Sequence, residues 1–486
     1  MTKPDAPTLP APGTTEEAAV KNLLVKSVMT TVDGVAYSTD PWTNWGGNVA
    51  SNPERTFHPK TLNDLQVIIR EANAHNKKIR CAGSGHSWST TASTNDYLVD
   101  VKGMNKIHTP VASEEGWTVT IEMGVLVSEL DNALRQNNPP LSLPSNVVPD
   151  CVSYGGTLTM GCHGASISAR TMSDMITEMK IVNAMGELVT YSETKDPEAF
   201  SAACLNLGLL GIIYTATLKV EAMNTRLRVM DSYPTLKSVF HGADAGLKLK
   251  AMILKNDSTE FLYWPFKCFG KEQYNDNIWL KQWERTTEPA DNLAGLADRP
   301  PMVDNPFFAS FHVGERIMEV PDAIHFPIGD GVTTVVDAGV AFKVDADFKN
   351  AIDAFNDLVE RNYRYSTGGP FLLGTALEMR FIKASSKMMS PAYDQDPDAI
   401  YCMLNVMAAS GTPGFDEYST KAVADWVQRF NAKPHWPKLW EDVPDVYPYL
   451  RREYGDRLVR FNRIRKEQDP KDMFVNRTFE KLVADL

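Results

Sequence analysis

The run Gly83-Ser84-Gly85-His86-Ser87 restricts the possible folds more than any other segment of the chain. It lies between two β-prone runs, Lys77 to Ala82 and Tyr97 to Val101, so the backbone must turn sharply there. Its glycines let main-chain N–H groups converge on an anion, and Ser84 and Ser87 add hydroxyl donors. Such a loop can cradle a pyrophosphate. It can equally be a plain strand-to-strand turn carrying an incidental histidine. Ahead of it, Thr61 stands as N-cap with Asp64 three residues on, and Leu65, Ile68, Ile69 and Ala72 fall on one face, which predicts an amphipathic helix.

Further units follow. Trp117 to Met123 is β-prone, and a helix with Leu126, Leu130 and Leu134 on one face breaks at Pro139-Pro140. Glycines then crowd a second loop, Gly155-Gly156-Thr157 and Gly161-Cys162-His163-Gly164. Met179 to Tyr191 predicts two strands turned at Ala184-Met185-Gly186, and Gly208-Leu209-Leu210-Gly211 feeds a strand from Ile212 to Val220. From about Arg226 the texture changes to strand-like runs such as Phe261-Leu262-Tyr263-Trp264 and Thr333-Thr334-Val335-Val336, alternating with helical ones such as Phe348 to Tyr363. A second α+β region is expected there, with Thr286 to Pro306 as a surface excursion.

Several function classes are excluded or disfavoured. A dinucleotide fingerprint needs a glycine where Trp88 stands, so nicotinamide binding is disfavoured. There is no HExxH, none of the nine histidines has metal-ligand spacing, and no GxSxG elbow occurs, so no metal is expected. A formal net charge of −12 argues against nucleic acid as a partner. The six cysteines (Cys81, Cys151, Cys162, Cys204, Cys268 and Cys402) lack the paired spacing of a disulfide scaffold or zinc site. Met1 to Thr15 reads as a tail without signal-peptide features, and no apolar stretch approaches the ~20 residues of a membrane-spanning helix. A soluble, intracellular protein is expected.

The order and wording of the loops carry more than their chemistry. Trp42-Thr43-Asn44-Trp45, Pro59 and Arg80 through Trp88 with the Gly-His-Ser motif resemble the sugar-1,4-lactone oxidases, within the vanillyl-alcohol-oxidase-type FAD flavoproteins. The resemblance continues through Leu98-Val99-Asp100-Val101, the two glycine clusters, Gly208 to Gly211, and Asp469-Pro470 to Asn476. It implies an α+β, two-domain FAD-binding fold with a substrate cap domain of antiparallel sheet flanked by helices. The expected divisions are a tail (1–30), an FAD domain (31–225), a cap (226–432) and a C-terminal segment (433–486) returning to the FAD domain.

The resemblance also implies site residues. His86 is joined covalently to the 8α-methyl of FAD, the alternative being that it packs on the flavin edge. Gly83, Ser84, Gly85, Ser87, Gly156, Thr157, Gly161, His163, Gly164, Gly211 and Ile212 are expected to contact the cofactor, His163 equally as a structural hydrogen-bonder. Glu378 and Arg380 alternate on a strand and so share a face, where the family places them over the flavin; a surface ion pair is the plainer meaning of Glu-x-Arg. His435-Trp436-Pro437-Lys438 resembles the family's His-Trp-x-Lys element, with Pro437 leaving the aim of Lys438 open. The implied reaction is oxidation of a ring alcohol of an aldonolactone, with a small sugar lactone and oxygen as partners and peroxide as by-product. A lactone dehydrogenase, an alditol oxidase or a non-catalytic sugar-binding relative would carry the same motifs. Trp42, Trp45 and Trp88 are expected in the core or at the domain junction rather than as sugar platforms. The arginines from Arg451 to Arg465 are expected on a solvated helix face.

Overall fold

A computed structural model describes residues 29–263, 276–291, 314–325, 334–368 and 376–484. Most of the N-terminal tail, Trp264, Cys268, Phe371 to Thr375 and the excursion beyond 291 lie outside the described residues. The helix expected after Thr61 runs Leu62–His75, closed by a reciprocal capping box between Thr61 and Asp64, and buries Leu65, Ile68, Ile69 and Ala72. It lies against a five-stranded sheet ordered Thr30–Val32, Val35–Ser38, Arg55–Phe57, Tyr97–Asp100, Ile79–Ala82, whose last pairings are parallel.

A second sheet is antiparallel, with Leu188–Ser192, Ile176–Val182, Ile212–Ala222, Gly116–Glu122 and Val111–Ser113 in that order. The turn expected at Ala184 to Gly186 closes its first hairpin. One expectation is corrected: Gly155 and Gly156 lie inside a short helix, Tyr154–Thr159, not in a loop. A Cβ on Gly155 would meet the carbonyl oxygen of Met123 at 2.9 Å, so the glycine there permits close helix-to-strand packing rather than a turn.

The third sheet has eight antiparallel strands. Its order is Gly314–Met318, Arg226–Ser232, Trp279–Thr286, Ser258–Tyr263, Ala376–Lys383, Ile400–Ala409, Val335–Lys343, Lys433–Pro434. Alternation divides it into two faces. Ala338, Val340, Phe342, Leu404, Val406, Leu377, Met379 and Phe381 turn one way and join one core with Phe355 and Leu358 of Lys349–Gly368 and with Tyr418 and Trp426 of Phe415–Phe430. The other face is charged and is described below.

The chain end comes back to the first sheet. Met473 O accepts from the Ile79 amide at 2.8 Å, and Gln468 O from Ala184 at 3.0 Å. Arg80 fastens this junction: its buried guanidinium donates to Thr91 O (2.7 Å), Leu207 O (2.9 Å), Gly208 O (3.1 Å) and Phe474 O (2.7 Å). The helix Val446–Gln468 departs from the expected solvated arginine face, because Arg465 is buried against Asn462 and Asp472, and Arg457 donates to Met388 O. Replacing Arg80 with Met removes four hydrogen bonds, three of them fully buried, and takes the donor from the Leu207, Gly208 and Phe474 carbonyls, while Thr91 O keeps Asn476 Nδ2 at 3.3 Å. Stability to urea should fall by about 3 kcal/mol or more. A loss below about 1 kcal/mol would show that the junction holds without it.

Candidate functional site

The loop Gly83 to Trp88 leaves the strand Ile79–Ala82 and is held from several sides. Asn44 Nδ2 donates to Ser87 O at 2.9 Å, and the Trp45 amide donates to Gly85 O at 2.8 Å. Gly85 takes φ 72°, a conformation that favours glycine. A Cβ on Gly83 would meet Ser153 Oγ at 1.9 Å, so only glycine lets the loop lie against the start of the Tyr154–Thr159 helix. The later glycines are as tight: in the second cluster a Cβ on Gly164 would fall 2.5 Å from Ser145 Oγ, and in the run before Ile212 one on Gly211 would fall 2.3 Å from Val182 O. A Cβ on Gly156, by contrast, would meet no atom of another segment within 4 Å among the described residues.

His86 is centred in this loop. Trp45 stacks on its ring at 4.5 Å and 15°, Nε2 lies 3.7 Å from Cys151 Sγ, and Nδ1 is buried without a hydrogen-bond partner among the described residues. Ser84 Oγ is likewise buried and unpartnered. Burial pushes the His86 imidazole down to about 4, so it is neutral near pH 7 and keeps a nucleophilic nitrogen. Trp88 packs against the larger core at the junction: its indole N–H donates to Val335 O at 2.5 Å and its amide to Pro437 O at 2.7 Å, tying the loop to the eight-stranded sheet. Pro437 thus serves as a docking point for the loop.

The charged face of that sheet lies next. Residues directly opposed across an antiparallel pair share a face. Met403, Arg380, Glu260, Lys281 and Asp231 stand opposite one another in a single row, with Glu378, Asn405 and Gly339 in the adjacent row. Arg380 pairs with Glu260 at 3.0 Å and with Glu378, and Asn405 donates to the other Glu378 oxygen at 2.9 Å. Asp231 receives Arg316 at 2.6 Å and the Trp279 indole at 2.9 Å. Glu378 is 2% exposed, which removes the surface-pair alternative. Burial works to lower the Arg380 pKa, but the carboxylates of Glu378 and Glu260 outweigh it and leave it raised.

Lys438 points at Asp337, and its ammonium lies 5.4 Å from the centre of the Trp88 ring. Burial pushes Asp337 up to about 6, with Lys438 opposing. A Cβ on Gly339 would strike Asn405 Oδ1 at 2.2 Å and Lys438 Cδ at 3.0 Å, so this glycine makes room for both. His163 and His435 bridge the two regions with ring centroids 5.2 Å apart; His163 Nδ1 bonds Gly164 O at 2.8 Å, and His435 Nδ1 is buried with no hydrogen-bond partner among the described residues. Burial, aided by nearby Arg380, pushes His163 down to about 3, and burial with His163 beside it pushes His435 well down too. Thr157, Gly161 and Ile212 are buried or nearly so in the packing around the second cluster.

Sequence reasoning missed Glu260, Asp337, Gly339 and Asn405. Three of these share one signal: a lone polar residue in an apolar β-run, as in Phe261 to Tyr263 after Glu260, Val335-Val336 before Asp337, and Cys402 to Val406 around Asn405. Unpaired burial of such a group is costly, so it marks a partner across the sheet.

This geometry fits FAD. Glycine backbone can turn its N–H groups toward a large anion, the buried Ser84 hydroxyl and His86 Nδ1 have no hydrogen-bond partner among the described residues, and the charged face meets the loop at Trp88. Residues 53–192 match the FAD binding domain family, and residues 346–482 match the D-arabinono-1,4-lactone oxidase family. The crystal structure of cholesterol oxidase from B. sterolicum superposes with a TM-score of 0.76 at 19% identity, over 93% of this chain and 98% of that one. The fold and site therefore define a two-domain FAD flavoprotein of the vanillyl-alcohol-oxidase type, an oxidoreductase whose cofactor is FAD.

Within that class the chain is similar to the sugar-1,4-lactone oxidases. It is 26% identical over 475 residues to the L-gulonolactone oxidase of Scyliorhinus torazame, covering 90% of this chain and 97% of that protein. It is 33% identical over 179 residues to the D-arabinono-1,4-lactone oxidase of Candida glabrata, 36% of this chain and 34% of that protein. It is also 24% identical over 454 residues to the L-gulono-1,4-lactone dehydrogenase of Mycobacterium tuberculosis, covering 90% and 97%. Among the described residues no helix is long and apolar enough to cross a membrane, and no cluster of three potential metal ligands occurs.

The neutral histidines have a thermodynamic consequence. The unfolded chain protonates His163 at an ordinary value near 6.5, whereas the folded chain does so only near 3. Its contribution is fully present above about 6.5 and is lost as the pH falls toward 3. A His163→Asn variant should show a shallower fall in Tm between pH 6.5 and 4 than the parent; equal slopes would show that the imidazole is not buried neutral.

Proposed function

We propose that the protein oxidises a ring secondary alcohol of an aldono-1,4-lactone to the keto lactone, with oxygen reduced to hydrogen peroxide. The observation that carries this reading is the buried Glu378–Arg380 pair, held on the charged sheet face that also presents Lys438 beside the His86 loop. The similarity to gulonolactone and arabinonolactone oxidases supports the substrate class. The proposed division is an FAD domain of residues 31–225, a cap of 226–432 and a returning segment from 433.

FAD, when bound, supplies the two-electron acceptor. The glycine loop with Ser84 and Ser87, together with Gly156, Thr157, Gly161, His163, Gly164, Gly211 and Ile212, would hold it, and His86 would bond its 8α-methyl. Arg380, kept cationic by two carboxylates, donates to oxygen atoms on which negative charge grows during oxidation. Glu378 fixes the guanidinium in its plane and is itself fixed by Asn405. Lys438 and His435 line the side nearest the loop and fix the ring hydroxyls. A site that pairs several hydroxyls rejects analogues that leave its polar groups unpaired, so lactones should outrun xylitol or sorbitol in kcat/KM.

Two experiments test this. After acid precipitation the yellow colour should stay with the polypeptide, and His86→Ala should release it to the supernatant; free flavin from the parent protein would contradict the covalent bond. Arg380→Ala should keep its flavin yet lose turnover with saturating lactone by ~100-fold or more. Unchanged turnover would make the Glu378–Arg380 pair purely structural.

A further inference from the structure

Oxidation of an alcohol releases a hydroxyl proton, and few groups on the charged face can take it. Arg380 is a cation committed to Glu378 and Glu260. Both Glu378 oxygens are occupied, one by Arg380 and one by Asn405. Burial makes His163 and His435 poor proton acceptors. Asp337 differs: it is 2% exposed, one of its oxygens receives Lys438, and the other, Oδ1, is buried with no hydrogen-bond partner among the described residues. Lys438 stands between that carboxylate and the Trp88 ring, with its side chain 12% exposed, so it reaches the site that Asp337 does not. Gly339 keeps the Lys438 stem in this line, since a Cβ there would meet Lys438 Cδ at 3.0 Å.

We propose that Lys438 and Asp337 form a proton-accepting pair, in which Lys438 touches the substrate hydroxyl and Asp337, acting through it, is the final acceptor. This rests on the alcohol oxidation put forward above. The substrate O–H bond breaks and its proton goes to Lys438 Nζ, while Lys438 gives one of its own protons to Asp337. The freed electron pair closes the carbon–oxygen double bond, and FAD, when bound, would supply the acceptor for the C–H hydrogen and its electron pair, so that the alcohol is oxidised and the acceptor reduced. Lys438 begins and ends as an ammonium, and the net change is one proton on Asp337.

The surroundings suit that task. The charged groups that act on Asp337 are Lys438 from the segment after Lys433–Pro434, and Glu378 and Arg380 from Ala376–Lys383. The neighbouring strand Ile400–Ala409 presents uncharged Met407 opposite it, and the loop presents Trp88. Burial raises the carboxylate to about 6 despite Lys438, and a proton acceptor that titrates close to neutral pH is suited to the transfer.

The test is the pH dependence of anaerobic flavin reduction by a saturating aldonolactone in the holoenzyme, with Asp337→Asn and Asp337→Glu, alongside an infrared titration of the carboxyl band. The parent should lose rate as the pH falls through about 6. Its infrared spectrum should show a buried carboxyl titrating there and missing from Asp337→Asn. Asp337→Asn should retain flavin but reduce ~100-fold more slowly at neutral pH, with its acid limb moved to higher pH; Asp337→Glu should recover part of the rate and restore a limb. An unmoved limb in Asp337→Asn, or no such carboxyl in the parent, would overturn the pair while leaving lactone oxidation intact. Failure of every lactone to reduce the parent's flavin would instead overturn the function, and the pair with it.

Discussion

Four carboxylates and four cations share one face of the eight-stranded sheet, and the rest of the site depends on how they neutralise one another. Asp337 faces Lys438, Glu378 and Glu260 flank Arg380, Lys281 lies opposite both Glu260 and Asp231, and Arg316 closes the series on Asp231. A single charge at that depth would carry a desolvation cost of several kcal/mol. Burial shows in the individual groups: it raises Glu260 and Asp231 and lowers Lys281, with the opposite charges acting against it in each case. Alternation of sign lets the row exist, and it holds Arg380 and Lys438 at fixed positions without solvent to soften their fields.

The opposite face explains why the row stays in place. Phe261 and Phe355 both pack on Phe240, with centroids 5.3 and 4.2 Å from it, and the apolar residues of the central strands join them in one core. A slip of one residue in any central strand would bring the charges into that core, so strand register and charge pairing enforce each other. At the edge, Trp88 and Pro437 join the sheet to the loop that carries His86, and Arg80 binds that loop's own strand to the returning chain end. The cofactor loop and the charged face are therefore parts of one connected frame.

Much of the first region was legible in the sequence because its signals are local. Thr61 and Asp64 announce a helix start by spacing alone, and glycines announce tight backbone. The Tyr154–Thr159 helix escaped because Gly155 and Gly156 signal close packing and turning equally well. On the eight-stranded sheet and the segment that follows its last strand, Glu378, Arg380, His435 and Lys438 were reached by resemblance to a motif, whereas Asp337, Glu260 and Asn405 belong to no short motif. Their partners lie on strands far away in the chain, and pairings of that kind are set by register, which local patterns do not fix. Arg465 was misplaced for a different reason: its run looks solvated, and although Asn462 and Asp472 are only three and seven residues away, the turn that ends the helix is what brings Asp472 to it.

The central claim is that this charged face sits over a bound flavin and oxidises a lactone ring alcohol. Anaerobic titration of the purified holoenzyme with gulono-, galactono-, arabinono- and gluconolactones, followed by admission of air, tests it most directly. At least one lactone should bleach the flavin absorbance stoichiometrically, and air should restore it with release of hydrogen peroxide. A flavin that no lactone bleaches would contradict the account.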